Sequence, residues 1–535
     1  MSERAALAIR SPSSARAAGP AKSQLKSSLP APFLKALAKV VGRRFLLQAD
    51  EERLVYESDA CLLMKAIPDA VVLPNTTEQV ADVVKLCRQH QVPFVARGAG
   101  TGLSGGALPV KGGIIIGLNR MNRLLEIDTQ HHTALVEVGL VNVWLNRALA
   151  PYGLFYAPDP SSQSACTIGG NVAENAGGIH CVKYGVTSDH ILSLEVVLPD
   201  GQIVWLGSHN RRSHGLNLVG LMVGSEGTLG IVTRVRVRLL PLPQYRHVFL
   251  AAFDTVAQAT DTVSAIIAAG LVPAAMEFMD AFTIRAVNQA FGVGFPENSE
   301  AVLLIEVDGT EQEQVREATE QLRPILEQFQ PSQIRVAETE ADCATLWKAR
   351  KSAVAAYGRI LPAMYVHDCV IPRSRLTEVL TRMEAIRQEY DLIIGNVFHA
   401  GDGNLHPNIM FHPNDPDMIA RVLKGGEAIL QACLEVGGTL SGEHGIGIEK
   451  SEFMDRVYSP QDLEKMKSIK QVLDPLHLCN PDKIFPTPRC CGDSGHHGHG
   501  QIGTSQTQNP DTEQRTFGKP FEPSTQTDGE EGLWI

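Results

Sequence analysis

A ten-residue stretch, RGAGTGLSGG at residues 97–106, contains five glycines and follows the short apolar run PFVA. Residues 100–105 fit the pattern G-x-G-x-x-G of Rossmann folds, in which the glycines open a helix and an acidic residue follows about 20 residues later. The next residues here, ALPVKGGIII, instead predict a turn and a β-branched strand. The sequence therefore argues against a Rossmann fold and leaves two interpretations, an anion-binding backbone nest or a flexible surface loop.

Two further glycine-rich stretches lie between β-rich runs: PDPSSQSACTIGGNVAENAGG at residues 158–178 and VGSEGTLGIVT at residues 223–233. Each of them alone could be an ordinary turn. Three such stretches in one region exceed chance, and they offer bare backbone and small donors to a long ligand that contains phosphate. We call residues 97–106, 158–178 and 223–233 the first, second and third glycine loops.

Size, charge and cysteine content limit the class of protein. A chain of 535 residues, 44% of them hydrophobic, is long enough for two or three domains. The net charge of −11 disfavours nucleic acid as the main partner. No apolar run approaches the ~18 residues of a membrane span and no signal-peptide core follows Met1, so we expect a cytoplasmic protein with at most peripheral membrane association. The ten cysteines form no C-x-x-C pair, which indicates reduced thiols and no iron–sulfur centre.

The pattern along the chain predicts an α+β protein between two tails. Residues 1–30 have five Lys/Arg against one acid and are expected to be a disordered tail, with an organellar targeting peptide as the less favoured alternative. Residues 31–65 are expected to form an N-terminal helical segment. Residues 66–245 alternate short β-runs with turns and one amphipathic helix over Thr77–His90, and residues 246–486 contain longer helices that predict a second domain. Residues 487–535 are predicted to be a disordered low-complexity tail.

The three glycine loops, together with KYGVTSDHILSLEVVLPDG at residues 183–201, resemble the FAD-binding domain of the vanillyl-alcohol oxidase/p-cresol methylhydroxylase flavoprotein superfamily. The resemblance implies a two-domain α+β fold, in which an FAD-binding domain precedes a substrate-binding cap domain. It also implies that the first loop holds the FAD pyrophosphate. Many relatives attach the flavin through a histidine in that loop, but Thr101 and Gly102 stand there in this chain, so FAD is expected to be non-covalent. The resemblance assigns to FAD the residues Arg97, Gly98, Ala99, Gly100, Thr101, Gly102, Ser104, Gly105, Asp159, Pro160, Ser161, Thr167, Gly169, Gly170, Asn175, Gly177, Gly178, Gly224, Glu226, Gly227, Gly230 and Ile231.

A second group of polar residues lies in GNVFHAGDGNLHPNIMF, residues 395–411. Asp402–Gly403 is a strong signal for a two-residue type I′ hairpin, which would pair His399 with His406 and place Asn408 on the same face. Two opposed imidazoles can bridge one metal ion, and Glu443 in TLSGEHGIGIEK, residues 439–450, offers a further ligand. The local sequence fits equally well with solvent-facing histidines on a hairpin and an unrelated polar turn.

The C-terminal half resembles the FAD-linked D-2-hydroxyacid dehydrogenases, a family that includes the glycolate oxidase flavoprotein subunit, D-lactate dehydrogenases and D-2-hydroxyglutarate dehydrogenase. The resemblance extends from about residue 59 to residue 486 and includes EFMD (277–280), LWKARKSA (346–353) and LDPLHLCNPDKIFP (473–486). It implies that His399, His406 and Glu443 bind a divalent metal, Zn, Mn or Fe. It further implies that His444 is the catalytic base, that Arg350 binds the substrate carboxylate and that Asn408 contacts the substrate.

The resemblance implies oxidation of a short 2-hydroxy acid, glycolate or D-lactate, by hydride transfer to flavin N5. The hydroxyglutarate enzyme has a lysine near the place of Val366, so the chain is expected to prefer a monocarboxylate, with a D-2-hydroxyglutarate dehydrogenase as the alternative. Two alternatives from other classes are a 2-His-1-carboxylate iron oxygenase and a non-catalytic flavoprotein subunit. Relatives pass electrons to a quinone, a cytochrome or an iron–sulfur subunit, and either a homodimer or a hetero-complex is compatible with the sequence.

Overall fold

The computed structural model of the chain describes residues 29–209, 215–292 and 294–486. The predicted tail at residues 487–535, and all but the last two residues of the predicted tail at residues 1–30, lie outside the described residues. We call residues 29–241 the N-terminal region and residues 242–486 the C-terminal region.

The helices and strands of the N-terminal region are α1 (Ala31–Val41), β1 (Leu46–Leu47), α2 (Asp50–Leu54), β2 (Ala70–Val72), α3 (Thr77–His90), β3 (Phe94–Arg97), β4 (Ile114–Gly117), β5 (Leu124–Asp128), β6 (Thr133–Glu137), α4 (Asn142–Leu149), β7 (Leu154–Phe155), α5 (Ile168–Glu174), α6 (Cys181–Tyr184), β8 (Ile191–Val197), β9 (Ile203–Gly207), α7 (Leu218–Met222), β10 (Ile231–Arg238) and β11 (Leu240–Pro241).

The N-terminal region is built on two main β-sheets. In the first, with strand order β1-β2-β4-β3, the last three strands are parallel; the second, with order β5-β6-β10-β8-β9, is antiparallel. Helix α3 has the predicted bounds because the Thr76 side chain accepts a hydrogen bond from the Gln79 N–H and one helix face is buried. The first glycine loop joins β3 to β4 with no helix between them, as the sequence predicted.

The helices and strands of the C-terminal region are β12 (Tyr245–Phe253), α8 (Val256–Ala268), β13 (Ala275–Asp280), α9 (Ala281–Phe291), β14 (Ala301–Gly309), α10 (Gln312–Gln328), β15 (Gln333–Ala337), α11 (Glu340–Lys351), α12 (Ala353–Tyr357), β16 (Ala363–Val366), β17 (Cys369–Val370), α13 (Leu376–Glu389), β18 (Ile393–His399), β19 (Asn404–Leu405), β20 (Pro407–Phe411), α14 (Pro416–Glu435) and α15 (Pro460–Leu473).

One nine-stranded sheet organises the C-terminal region, with order β15-β12-β14-β13-β18-β19-β17 and with β20 pairing β18 and β16. Strand β12 inside the sheet is buried on both faces: Phe249 and Ala251 enter one core, and Val248 and Leu250 enter the other. The fold is therefore α+β, and the longer helices predicted from the sequence follow the N-terminal region. After α15 the chain returns to the N-terminal region, where Leu478 and Cys479 join the core. None of the described helices is long and apolar enough to cross a membrane.

Candidate functional site

A cavity of about 890 Å³ lies between the N-terminal and C-terminal regions. The three glycine loops line one wall. The opposite wall is formed by side chains of α11, α12, β16, β18 and β20 and by residues 439–450, which we call the Glu–His loop. The volume is in the range of pockets that enclose a cofactor together with a small substrate.

The structure brings most of the predicted FAD residues together around this cavity. The predicted residues that line it are Arg97, Gly98, Ala99, Gly100, Thr101, Gly102, Pro160, Ser161, Thr167, Gly169, Gly170, Glu226, Gly227, Gly230 and Ile231. The predicted residues that are not part of the lining are Ser104, Gly105, Asp159, Asn175, Gly177, Gly178 and Gly224. Lining residues that sequence reasoning missed include Asp59, Glu174 and Met222.

Two of the predicted residues outside the lining, Ser104 and Asp159, support the loops instead. The Ser104 carbonyl oxygen accepts hydrogen bonds from the backbone N–H groups of Ile448 (2.9 Å) and Glu449 (3.2 Å), which join the first glycine loop to the Glu–His loop. The Asp159 carboxylate lies 2.8 Å from Nδ1 of His180. These residues hold the walls of the cavity in place.

Arg97 provides a buried positive charge at the first glycine loop. Its Nη2 donates to the Ser58 carbonyl oxygen (2.7 Å), and its guanidinium lies over the Tyr56 ring. Its Nη1 is buried and has no hydrogen-bond partner among the described residues. A Cβ atom at Gly100 would lie 2.2 Å from Nη2, so only glycine lets the loop backbone pass so close to the guanidinium. A buried cation with a free Nη1 under a glycine loop fits the diphosphate of FAD.

The third glycine loop meets the Glu–His loop through Glu226. Its carboxylate accepts hydrogen bonds from the backbone N–H groups of Ile446 and Gly447, both at 2.7 Å. Glu174 lies nearby at the end of α5, and its burial, together with the charge of Glu226, raises its pKa well above the usual value. Burial also raises the pKa of Glu226, although its two backbone hydrogen bonds oppose that rise. Both groups are therefore buried carboxyls whose charged form is disfavoured, and Glu174 faces the cavity.

The hairpin that carries the two histidines has a different register from the predicted one. His399 pairs with Asn404 and Asn396 pairs with Pro407, so four residues form the loop and His399 does not pair with His406. Gly403 has φ +80°, but Asp402 is not among the positive-φ residues, which rules out the type I′ turn. The prediction was wrong because the loop backbone is hydrogen-bonded to neighbouring elements. For example, the Ile371 N–H donates to the Gly403 carbonyl oxygen (3.0 Å).

The two histidines nevertheless meet, because a register difference of two residues keeps both side chains on one face. Their ring centroids are 5.0 Å apart. Nε2 of His406 lies 3.0 Å, and Nε2 of His399 lies 3.5 Å, from Oε1 of Glu443. Three predicted metal ligands that are distant in sequence thus converge on one point.

The opposite ring nitrogens of both histidines are engaged. Nδ1 of His399 lies 2.7 Å from Oε1 of Glu277, and Nδ1 of His406 lies 3.2 Å from the His367 carbonyl oxygen. Each Nδ1 therefore has an acceptor for its proton, and each Nε2 is directed at Oε1 of Glu443, an arrangement in which a metal ion can take the place of an Nε2 proton. Burial alone lowers the pKa of His399, but Glu277 and Glu443 outweigh it and raise that pKa well above its usual value. A site that stabilises positive charge in this way fits a divalent cation.

Asp368 lies close to this cluster and was not predicted. Ligand atoms of Asp368, His406, Glu443 and His444 all lie within 4.8 Å of one another. Its Oδ2, however, already accepts hydrogen bonds from the Ser441 hydroxyl (2.5 Å) and from the backbone N–H groups of residues 442 (3.0 Å), 443 (3.1 Å) and 444 (2.8 Å). Asp368 therefore positions the Glu–His loop, and His399 is the better candidate ligand.

Arg350 lies near the end of α11 and lines the cavity. Its Nε and Nη2 lie 2.8 and 2.5 Å from Oε2 of Glu277, whose other oxygen contacts His399. Glu277 belongs to the motif EFMD, but the sequence predicted no role for it. The available signal was an acid in the middle of an apolar strand, which needs a partner when it is fully buried.

His444 faces the cavity beside the candidate metal ligands. Its ring stacks on His406 with an angle of 11° between the ring planes. Burial, more than any neighbouring charge, lowers the pKa of His444 to about 4, so the ring is neutral near pH 7 and can accept a proton. Asn408 and Val366 pair with each other across β20 and β16, and both line the cavity.

Comparison with known proteins identifies both regions. Residues 68–207 match the family model of an FAD binding domain, and residues 242–484 match that of the C-terminal domain of FAD linked oxidases. The chain is 44% identical to the glycolate oxidase subunit GlcD of Escherichia coli (strain K12) over 470 residues, which cover 87% of this chain and 94% of that protein. It is 35% identical to the mitochondrial D-lactate dehydrogenase [cytochrome] of Arabidopsis thaliana, covering 79% of this chain and 74% of the relative.

Solved structures share the fold. A p-cresol methylhydroxylase structure with substrate bound superposes with a TM-score of 0.73 at 17% identity and covers 85% of this chain and 96% of that one. The 4-ethylphenol oxidase from Gulosibacter chungangensis gives the same TM-score at 20% identity and covers 86% of this chain and 99% of that one. The family matches and the curated relatives together show that this chain belongs to the FAD-linked oxidases and has the two-domain fold predicted from its glycine loops.

Proposed function

We propose that the chain is an FAD-dependent dehydrogenase that oxidises a short 2-hydroxy acid, glycolate or D-lactate, to the 2-oxo acid. The names of its relatives, glycolate oxidase subunits and D-lactate dehydrogenases, support this substrate class. The observation that carries the proposal is geometric. A buried arginine and a neutral histidine lie beside the His–His–Glu cluster on one wall of the cavity, and the glycine loops of the FAD-binding domain form the opposite wall.

FAD would lie along the three glycine loops, with Arg97 and the first loop at its diphosphate. When bound, FAD supplies the two-electron acceptor that oxidation of a C2–H bond requires. The residues at the usual attachment position, Thr101 and Gly102, have no side chain that could form the covalent bond a histidine makes, which supports a non-covalent cofactor.

A divalent metal, Zn, Mn or Fe, would be held by His399, His406 and Glu443. Such an ion would bind the substrate's carboxylate and hydroxyl oxygens and lower the pKa of that hydroxyl. Glu277 and the His367 carbonyl oxygen hold the two imidazoles in the tautomer that this coordination requires.

The side chains of the protein perform the remaining steps. Arg350 binds the substrate carboxylate through its planar guanidinium, and Glu277 fixes the direction of that guanidinium. His444, neutral near pH 7, accepts the proton of the C2 hydroxyl group as C2 is oxidised to a carbonyl. Asn408 lies on the same wall. Its amide nitrogen donates hydrogen bonds to the carbonyl oxygens of His406 (2.7 Å) and Gly395 (3.3 Å). Its amide oxygen would therefore be the group that contacts the substrate.

The wall beside Asn408 favours a short substrate. Met364, Val366 and Val397 line it and offer no charge to a second carboxylate. The alternative, D-2-hydroxyglutarate, has one observation in its favour, because Lys351 also lines the cavity. Lys351 is exposed, however, so water competes for its charge with any second carboxylate.

The electron acceptor is proposed by class only: a quinone, a cytochrome or an iron–sulfur subunit. Relatives named as subunits of glycolate oxidase support a hetero-complex, and the negative net charge supports a partner other than nucleic acid. The iron oxygenase alternative leaves the FAD-binding domain without a role. The non-catalytic alternative leaves the converging Arg350, His444 and candidate ligands without one.

Steady-state assays with glycolate, D-lactate, L-lactate and D-2-hydroxyglutarate, with an artificial acceptor, test the proposal. We expect turnover with glycolate or D-lactate, and a loss of at least about 100-fold in kcat/KM for Arg350→Met because the carboxylate loses its bidentate partner. Lys348→Met is the matched control, since Lys348 is exposed on the same helix and does not line the cavity. Failure of both glycolate and D-lactate to reduce the bound flavin would refute the proposed function.

A further inference from the structure

The motif LDPLHLCNPDKIFP, residues 473–486, has no part in the proposed chemistry. We call residues 474–486 the return segment, because they follow the last helix of the C-terminal region and pack on the N-terminal region. The Phe94 N–H donates to the Leu478 carbonyl oxygen (2.9 Å), and the Asn480 N–H donates to the Phe94 carbonyl oxygen (2.8 Å). Cys479 forms a parallel bridge with Phe94 of β3, the edge strand that leads into the first glycine loop.

Asn480 connects two of the glycine loops through one side chain. Its residue is 2% exposed, and its Nδ2 donates hydrogen bonds to the carbonyl oxygens of Gly106 (2.9 Å) and Glu226 (2.8 Å). Gly106 ends the first glycine loop and Glu226 lies in the third, and both residues line the cavity. One buried amide therefore fixes the distance between two loops of the same cavity wall, at residues that are 120 positions apart in sequence.

Neighbouring groups attach the return segment to the same loops. Nζ of Lys483 donates to the Leu108 carbonyl oxygen (2.7 Å), just after the first loop. Nζ of Lys470 donates to the carbonyl oxygens of Thr228 and Cys479, both at 2.9 Å. The Ile484 N–H donates to the Gly447 carbonyl oxygen (2.9 Å), which adds the Glu–His loop to the connected elements.

The backbone of the return segment adopts conformations that need support from outside. Four of its non-glycine residues have positive φ: His477 (53°), Asn480 (43°), Asp482 (59°) and Ile484 (70°). Asparagine and aspartate tolerate this region, whereas a β-branched isoleucine does so only at a cost in energy. Such strain persists where surrounding contacts determine the backbone, and it concentrates at binding sites.

We propose that Asn480 is a positioning residue of the FAD site, whose carboxamide holds the first and third glycine loops at the separation that FAD needs. Retention of FAD then depends on a segment at the end of the C-terminal region. The inference rests on the proposed location of FAD in the cavity, so its test includes a variant for that location.

Two substitutions at Asn480 distinguish the role of its side-chain amide from that of its backbone conformation. Asn480→Gly keeps the positive φ at no steric cost but removes the side chain, and Asn480→Asp keeps the shape but replaces the donor NH₂ by an acceptor. We expect both variants to release FAD roughly tenfold faster than the wild type, because buried carbonyl groups lose two hydrogen bonds. Asp482→Asn is the matched control, since it keeps the backbone preference and removes the charge of a partly exposed side chain whose ion pair is with Lys111.

Flavin fluorescence after dilution measures FAD release, and thermal unfolding of the FAD-free proteins measures any general loss of stability. Release at the wild-type rate from both Asn480 variants, or equal acceleration in Asp482→Asn, would overturn the inference. A lower melting temperature of the FAD-free variants without faster FAD release would assign Asn480 a purely structural role and overturn it as well. Arg97→Met tests the location of FAD separately: if it weakens FAD binding while the Asn480 variants do not, only the Asn480 inference fails. If Arg97→Met binds FAD normally, the proposed location fails.

Discussion

The carboxylate of Glu277 joins the two functions proposed for the C-terminal region. One oxygen contacts Nδ1 of the candidate metal ligand His399 (2.7 Å), and the other contacts Nε and Nη2 of the candidate carboxylate-binding Arg350 (2.8 and 2.5 Å). Burial by itself raises the pKa of Glu277, but His399 and Arg350 outweigh it and lower that pKa below its usual value, so Glu277 is ionised. The substitution Glu277→Gln removes this charge and keeps the shape of the side chain.

Glutamine cannot satisfy both neighbours. If its oxygen faces Arg350, its NH₂ group faces Nδ1 of His399, which must then become an acceptor and place the ring proton on Nε2, the nitrogen that would bind the metal. If the amide is reversed, the NH₂ group faces the guanidinium. Changes of this kind next to a metal ligand cost about 10–100-fold in metal affinity. Loss of the buried charge partner of Arg350 adds about 3 kcal/mol of lost stability.

The assay measures metal and flavin content per chain in the same preparation, together with KM and the melting temperature. We expect Glu277→Gln to keep FAD, lose metal on dialysis and show a raised KM for the hydroxy acid. Glu306→Gln is the matched control, because Glu306 is a buried acid of the neighbouring strand whose partners are His180 and Trp347. It should lose stability and keep its metal. Wild-type metal content and KM in Glu277→Gln would refute the reasoning.

Other measurements test the remaining parts of the site. Acid precipitation should release the flavin into the supernatant, and colour retained in the pellet would contradict non-covalent binding. Glu443→Gln should lose turnover but keep FAD, because the candidate ligands and the glycine loops belong to different walls; full activity after exhaustive metal removal would contradict the metal site. His444→Ala should lower kcat by ~10²–10⁴-fold with little change in affinity for a product analogue, and D-lactate should be oxidised faster than L-lactate; near-normal turnover would reject His444 as the base. His180 lies between Asp159 and Glu306, which outweigh the effect of burial and raise its pKa well above 6.5. Its stabilising contribution should therefore be complete below about pH 6.5 and fall as pH rises through the folded-state pKa, so the difference in unfolding free energy between wild type and His180→Gln should shrink above that pH; a difference that grows with pH would contradict the ion pairs.

Much of the N-terminal region could be predicted because its signals are local. The bounds of α3 follow from a capping threonine and an apolar stripe, and the absence of a helix after the first glycine loop follows from the β-branched run beyond it. The hairpin register could not be predicted in this way. Asp402–Gly403 favours a two-residue turn locally, but hydrogen bonds from Ile371 and to Met276 hold four residues in the loop.

Residues that support the site from behind carry weak sequence signals. Glu277 is separated by 73 residues from Arg350, and Asp368 by 75 residues from Glu443, so neither pairing is visible in any local pattern. A fully buried acid does leave one trace in the sequence, because it is a charged residue within an otherwise apolar strand. That trace identifies Glu277 as a residue in need of a partner but does not say which one.

The glycines of the Glu–His loop show how the two regions build one site. Gly447 has φ +53°, and a Cβ atom there would lie 2.0 Å from the Ser104 carbonyl oxygen of the first glycine loop. A Cβ atom at Gly445 would lie 2.2 Å from the Glu174 carboxyl group. Gly445 has φ +85°, so the turn itself favours glycine at both positions, and the approach of the Ser104 backbone adds a second requirement at Gly447. Because Glu443 and His444 precede them directly, the contact that brings the regions together also sets the proposed ligand and base against the cavity.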